Sequence, residues 1–69
     1  MSDKQERTKD FMSTAETAGK LGVAEPTLRT WRARGKGPRY YQMGRMIRYR
    51  PKDVEEWMNR NYRLVEPER

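Results

Sequence analysis

The sequence predicts a small α+β domain built from two short helices, a β-hairpin and a third helix. The chain has 69 residues, enough for one domain with a modest core. Helix-start signals occur at Ser13, Pro26 and Pro51, and a segment that alternates apolar and basic residues follows Gly44. Helical patterns interrupted by one strand pattern are the basis of this fold class.

The first helix is expected over residues 14–21. Ser13 and Glu16 stand three positions apart, as in a capping box, where each side chain satisfies a backbone N–H at the helix start. Apolar residues then recur at helical spacing as far as Leu21. Gly22 stands just beyond the end, where a residue with positive φ often terminates a helix.

The second helix is expected to follow a tight turn over residues 22–24, to have Pro26 in its first turn, and to stop at Gly35. Proline suits the first helical turn because its missing N–H has no intrahelical partner there, and Glu25 beside it complements the helix dipole. Leu28 and Trp31 share one face of the helix. The tight turn between the two helices makes a helix-turn-helix pattern.

A β-hairpin should follow, with Gly44–Arg45 at its tip. Glycine and proline end the second helix, residues 40–43 are rich in strand formers, and the return strand alternates. If this alternation holds, only one of Tyr40 and Tyr41 faces inward, and the sequence leaves the choice open. In the return strand, Ile47 and Tyr49 are expected to face the core, and Arg48 and Arg50 to face outward.

The last helix is expected to run from Pro51 to Arg60 or Asn61, with acidic residues in its first turns. Trp31 and Trp57 could stack on nucleic-acid bases, but each lies on an apolar helical stripe, which favours burial in the core. The predicted core comprises nine residues: Leu21, Val23, Leu28, Trp31, Ile47, Tyr49, Val54, Trp57 and Met58. Residues 1–11 are expected to form a disordered arm, residues 12–61 the domain, and residues 62–69 a tail without structure.

The basic residues are concentrated in the centre of the chain. Nine of the sixteen Lys and Arg residues, and none of the ten Asp and Glu residues, lie between Pro26 and Lys52. The formal net charge of the whole chain is +6. A chain that only needs solubility tends to intersperse the two signs, so this segregation indicates a polyanion partner, with nucleic acid first and an acidic membrane surface second.

The composition argues against several other classes of protein. The chain has no Cys and no His, which removes disulfides, thiolate sites and the commonest metal ligand, so we expect no metal and no cofactor. Asp53, Glu55 and Glu56 are the carboxylates that could serve in acid–base catalysis. Their positions are explained by a helix N-terminus, and we therefore expect that the protein is not an enzyme. No segment approaches the roughly 20 apolar residues of a membrane span and no signal peptide is visible, so a cytoplasmic, DNA-associated protein is expected.

The outward face of the second helix carries Thr27, Thr30 and Arg34, with Arg29 and Arg32 beside them. Short polar side chains let a helix approach base edges, whereas arginine contacts either phosphate or guanine. An arginine at the tip of a narrow hairpin can reach into a minor groove. The candidate DNA-binding residues are Thr27, Arg29, Thr30, Arg32, Arg34, Lys36, Arg45 and Arg48.

These elements resemble the small winged-helix excisionases, or recombination directionality factors, within a wider MerR-like group that includes short phage and plasmid regulators. The similarity covers residues 12–60. It is carried by STAETAGKLGVAEPTLRTWRARGKGP, by Gly44–Arg45, and by Arg48–Arg50 leading into DVEEW. The resemblance implies a winged helix-turn-helix fold, with the second helix in the major groove and the hairpin, or wing, in the adjacent minor groove.

By position in that family, Thr27, Arg29, Thr30 and Arg34 would face the groove and Arg45 would be the wing residue. The family also implies a function without catalysis: binding of repeated sites in attachment DNA, cooperative head-to-tail association, DNA bending, and placement of integrase for excision. Ala24 departs from the family pattern, which usually has a capping Ser at this position.

Other functions remain open at this point. A short winged-helix transcription regulator would have the same fold and no integrase partner. An adaptor that binds protein through its acidic flanks would show no salt-dependent DNA affinity. RNA binding is less favoured, because no RNP-like strand motif is present.

Overall fold

The computed structural model describes residues 11–67. They form two helices, an antiparallel hairpin and a third helix, which confirms the predicted order and the α+β, winged helix-turn-helix class. The elements are α1 (Thr14–Leu21), α2 (Glu25–Ala33), β1 (Tyr41–Met43), β2 (Met46–Arg48) and α3 (Pro51–Asn61). The hairpin formed by β1 and β2 is called the wing below.

Helix α1 has the predicted bounds and the predicted caps. The Ser13 hydroxyl accepts a hydrogen bond from the Glu16 N–H at 3.0 Å, and the Ser13 N–H donates to the Glu16 carboxylate at 2.9 Å. Gly22 ends the helix with a φ of 77°, and the Val23 N–H donates to the Ala18 carbonyl at 3.0 Å. Both ends are fixed by local chemistry, which is why the sequence predicted them well.

Helix α2 begins at Glu25, directly after the predicted turn over residues 22–24, and ends at Ala33. Gly35, the expected stop, has a φ of 73°. Ala24 has the extended backbone of an N-cap, with φ −74° and ψ 151°, but its methyl group cannot accept a hydrogen bond. The start of α2 therefore lacks the side-chain cap that α1 has.

A serine at position 24 should supply the missing cap. We expect Ala24→Ser to stabilise the domain by about 1 kcal/mol, which corresponds to a rise in Tm of about 4–8 °C for a domain of this size. Ala33→Ser is the matched control at the other end of α2, where the hydroxyl meets no helix-start N–H. Thermal unfolding followed by circular dichroism measures both, and equal Tm values for the two variants would refute the cap.

The wing is closed by a two-residue loop. Met43 pairs with Met46, which leaves Gly44 and Arg45 at the tip as predicted, and Gly44 has a φ of 60°. Positive φ at the first loop residue alone is the pattern of a type II′ turn, whose twist suits a hairpin. At the base of the wing, Tyr49 and Met12 exchange two backbone hydrogen bonds of 2.7 and 2.8 Å.

All nine predicted core residues belong to one apolar cluster. Four of them are buried and five are partly buried, and Ala18 and Met12 join them. The rings of Trp31 and Trp57 have their centroids 5.5 Å apart, so the two indoles pack together in the core. Thr17 is also fully buried, and its hydroxyl has no hydrogen-bond partner among the described residues.

Two residues beyond the expected domain bounds contact the domain. The ring of Phe11 packs edge-on against Tyr41, with centroids 5.6 Å apart. The Tyr62 hydroxyl donates to the Leu21 carbonyl at 2.6 Å, although residues 62–67 form neither helix nor strand. The disorder expected of residues 1–10, and the expectation for residues 68–69, lie outside the described part of the chain.

Candidate nucleic-acid interface

The exposed face of α2 carries the side chains that the sequence predicted. Thr27, Thr30 and Arg34 are exposed, whereas Leu28 on the opposite face is fully buried. Burial of Leu28 sets the rotation of the helix, since an amphipathic helix turns its apolar stripe toward the core. The two threonines are thus presented to solvent on a convex surface that a groove could accept.

Arg29 lies beside this face and forms an ion pair with Glu25. The guanidinium Nη2 is 2.8 Å from the Glu25 carboxylate, one helical turn earlier, and the Arg29 side chain is 61% exposed. An exposed pair of this kind contributes only about 0.3–0.5 kcal/mol. Glu25 therefore orients Arg29 without preventing its contact with a phosphate.

Arg32 is placed differently from its neighbours on α2. It is half-buried, and its Nη1 donates to the Tyr49 hydroxyl at 3.1 Å and to the Thr14 hydroxyl at 3.3 Å. The guanidinium carbon also lies 5.6 Å from the centroid of the Tyr40 ring. The sequence pattern grouped Arg32 with the surface arginines, because periodicity along α2 carries no information about the wing.

The wing presents one arginine to solvent at its tip and holds a second along its strand. Arg45 is exposed. Arg48 is half-buried, and its Nη1 donates to the Ile47 carbonyl at 2.8 Å. Arg50 reaches the Tyr41 hydroxyl at 3.0 Å and lies over its ring. Tyr40 packs on the buried Tyr49 and Tyr41 packs on Phe11, and both residues remain exposed, at 38% and 45%.

A basic groove separates the wing from the start of α1 and from α2. It brings together four arginines and the carboxylate of Glu25, along with the first residues of α1, whose backbone N–H groups carry partial positive charge. Sequence reasoning did not assign the start of α1 to this surface, because only the fold places it opposite the wing. The lining residues are Ser13, Thr14, Ala15, Glu25, Arg29, Arg32, Arg45, Met46, Ile47 and Arg48.

Lys36 and Arg34 follow the end of α2 and do not line this groove in the described structure. Both side chains are exposed. The backbone N–H of Lys36 donates to the Trp31 carbonyl at 2.7 Å, which fixes the chain where it leaves the helix. The candidate residues are therefore arranged in two groups, one around the groove and one along the exposed face and end of α2.

Residues 11–67 contain no group of three or more His, Cys, Asp or Glu residues arranged to hold a metal ion. None of the helices that these residues form is long and apolar enough to cross a membrane.

Comparison with known proteins identifies the motif. A family model described as a helix-turn-helix domain matches residues 11–62, which includes the three helices and the wing. No curated protein matches the sequence. Because the match covers most of the chain, this protein belongs to the helix-turn-helix domain family, and the family implies sequence-specific binding of double-stranded DNA.

Proposed function

We propose that this protein is an excisionase-type DNA-binding protein that binds attachment-site DNA, bends it and directs integrase toward excision. The DNA-binding part of the proposal is supported most by the geometry of the wing: a two-residue tip carrying exposed Arg45 stands across a basic groove from α2. The excision role is supported by the similarity of residues 12–60 to excisionases.

In this proposal α2 enters the major groove and the wing tip enters the adjacent minor groove. The major groove is about 12 Å wide and admits a helix, while the narrow minor groove attracts arginine. The phosphate backbone between the two grooves would lie along the basic groove, near Arg29 and Arg48. Arg34 and Lys36 would contact phosphates beyond the end of α2.

The threonines on α2 would contribute sequence discrimination. We expect Thr27→Ala and Thr30→Ala each to lower the ratio of cognate to scrambled affinity by about fivefold, since each loses one contact of about 1 kcal/mol. Asn59→Ala, an exposed polar position on α3, serves as the control. Fluorescence anisotropy with both duplexes measures the ratio. If both threonine variants keep the parental ratio, the recognition face is wrongly assigned.

Integrase contact and head-to-tail self-association would require surfaces away from the DNA. On the wing, outside the basic groove, Met43 is 63% exposed, and Phe11, which lines the same shallow pocket, is 38% exposed. At the other end, Leu64 and Val65 are 83% and 66% exposed. Contiguous exposed apolar residues are typical of protein contacts, so these two surfaces are our candidates for the partner contacts.

Association of several copies would also account for bending. Bending a short site costs about 1–6 kcal/mol. One small domain supplies this free energy with difficulty, whereas several phased copies supply it jointly.

The main alternative is a short winged-helix transcription regulator of a phage or plasmid, which uses the same DNA-binding surface without integrase.

Recombination in vitro separates the two functions. Purified protein is added to cognate integrase and attachment-site DNA, and excision products are counted with and without it. Excision that depends on the protein supports the proposal, whereas excision that proceeds equally without it favours the regulator. Footprinting on the same DNA gives the number of sites and their helical phasing.

A further inference from the structure

We infer that Arg32 is a positioning residue that fixes the angle between the wing and α2. The inference rests on the proposed function, in which these two elements enter neighbouring grooves of one duplex. It gives Arg32 a task different from that of the exposed arginines, which would contact DNA directly.

The contacts of Arg32 join three parts of the fold. Its own backbone belongs to α2, its Nη1 donates to Thr14 at the start of α1, and the same nitrogen donates to Tyr49 at the base of the wing. The Tyr40 ring, which precedes β1, lies against the guanidinium. One rigid, planar group therefore contacts the segments that enter and leave the wing.

The wing itself has few means of setting its own orientation. Its strands have three residues each, and a two-stranded hairpin is marginally stable without support. It is attached to the helices by Ile47, which packs against the core cluster, and by the base, where Tyr49 is 1% exposed and pairs with Met12. The directional hydrogen bond from Arg32 restricts rotation about this attachment, since guanidinium N–H groups point in fixed directions.

A small change of angle at the base would matter at the tip. Arg45 is four residues from Tyr49, or about 13 Å along an extended strand. A rotation of about 15° at the base would therefore move the tip by about 3 Å, while productive binding geometry tolerates about 0.5 Å. Loss of the Arg32 hydrogen bond should thus reduce the contribution of Arg45 to DNA affinity.

Tyr49→Phe tests this role without altering any charge. It removes the hydroxyl that accepts from Arg32, keeps the buried ring, and changes a residue too buried to touch DNA. We expect it to weaken cognate duplex binding about fivefold, to lower the salt slope toward that of Arg45→Ala, and to have less than a twofold effect in an Arg45→Ala background. Such non-additivity is expected only when two residues act through one element.

Two further measurements make the outcome decisive. Thr14→Val removes the second acceptor of Arg32 and replaces Tyr49→Phe if that variant fails to fold. A nitroxide attached to Arg45→Cys, in a chain with no other cysteine, reports the distance from the wing tip to the α2 amides without DNA. We expect Tyr49→Phe and Thr14→Val, which each remove one acceptor of Arg32, to change the paramagnetic broadening of the amides of residues 27 and 30.

The inference would be overturned if Tyr49→Phe and Arg45→Ala lower DNA affinity additively. It would also be overturned if Tyr49→Phe and Thr14→Val leave the broadening of the α2 amides unchanged. Absence of salt-dependent duplex binding by the parent protein would overturn the proposed function instead. In that case the nitroxide measurement alone decides whether Arg32 sets the wing angle.

Discussion

Replacing Arg45 by alanine is expected to weaken duplex binding about tenfold, equivalent to about 1.4 kcal/mol, within the range of a specific groove contact. The slope of log K against log salt should fall by about one, because one fewer counterion is released. Both effects follow from the exposed position of Arg45 at the wing tip.

Titrations of one labelled duplex at several salt concentrations measure both quantities. Arg63→Ala is the matched control, since it removes the same charge from an exposed position beyond α3. We expect Arg63→Ala to leave the slope unchanged. A variant at position 45 that keeps the parental affinity and slope would refute the wing assignment.

Replacing Leu28 by alanine is expected to leave the domain largely unfolded. Leu28 is 0% exposed and belongs to the core cluster beneath α2. Removing a buried leucine costs about 2–5 kcal/mol, while a core of this size supplies no more than about 3–5 kcal/mol in total. The face of α2 that we propose to contact DNA should be lost with the fold, since burial of Leu28 determines which side of α2 faces solvent.

Leu64→Ala makes the same chemical change at a leucine that is 83% exposed. It should change the free energy of unfolding by less than about 0.5 kcal/mol. Urea unfolding followed by circular dichroism compares the two. If Leu28→Ala retains a cooperative transition near the parental midpoint, the proposed role of this core position is wrong.

The two arginines of the wing and groove illustrate how charge and structure are combined. Arg45 is exposed and is proposed to act on DNA directly, whereas Arg32 is half-buried and bonded to two hydroxyls. The same residue type therefore serves two purposes within one basic segment. Net charge alone, which predicted the polyanion partner, does not distinguish them.

Features that depend on neighbouring residues could be predicted from sequence. The Ser13–Glu16 capping box, the Gly22 terminus and the Gly44–Arg45 turn are determined by interactions within a few residues. Core positions such as Leu28 and Val54 follow from the period of apolar residues, because hydrophobic burial requires one continuous face. The helix-turn-helix class and the clustering of positive charge were likewise readable from the chain.

Features that depend on distant residues were decided by the tertiary structure. Tyr62 reaches the end of α1, Met12 pairs with Tyr49, and Arg32 joins α2 to the base of the wing. Each contact joins residues at least 17 positions apart, as the Arg32–Tyr49 bond does, and no local pattern encodes such a pairing. The sequence alone determined the elements and their charge, while packing determined which arginines face solvent and how the wing is held against α2.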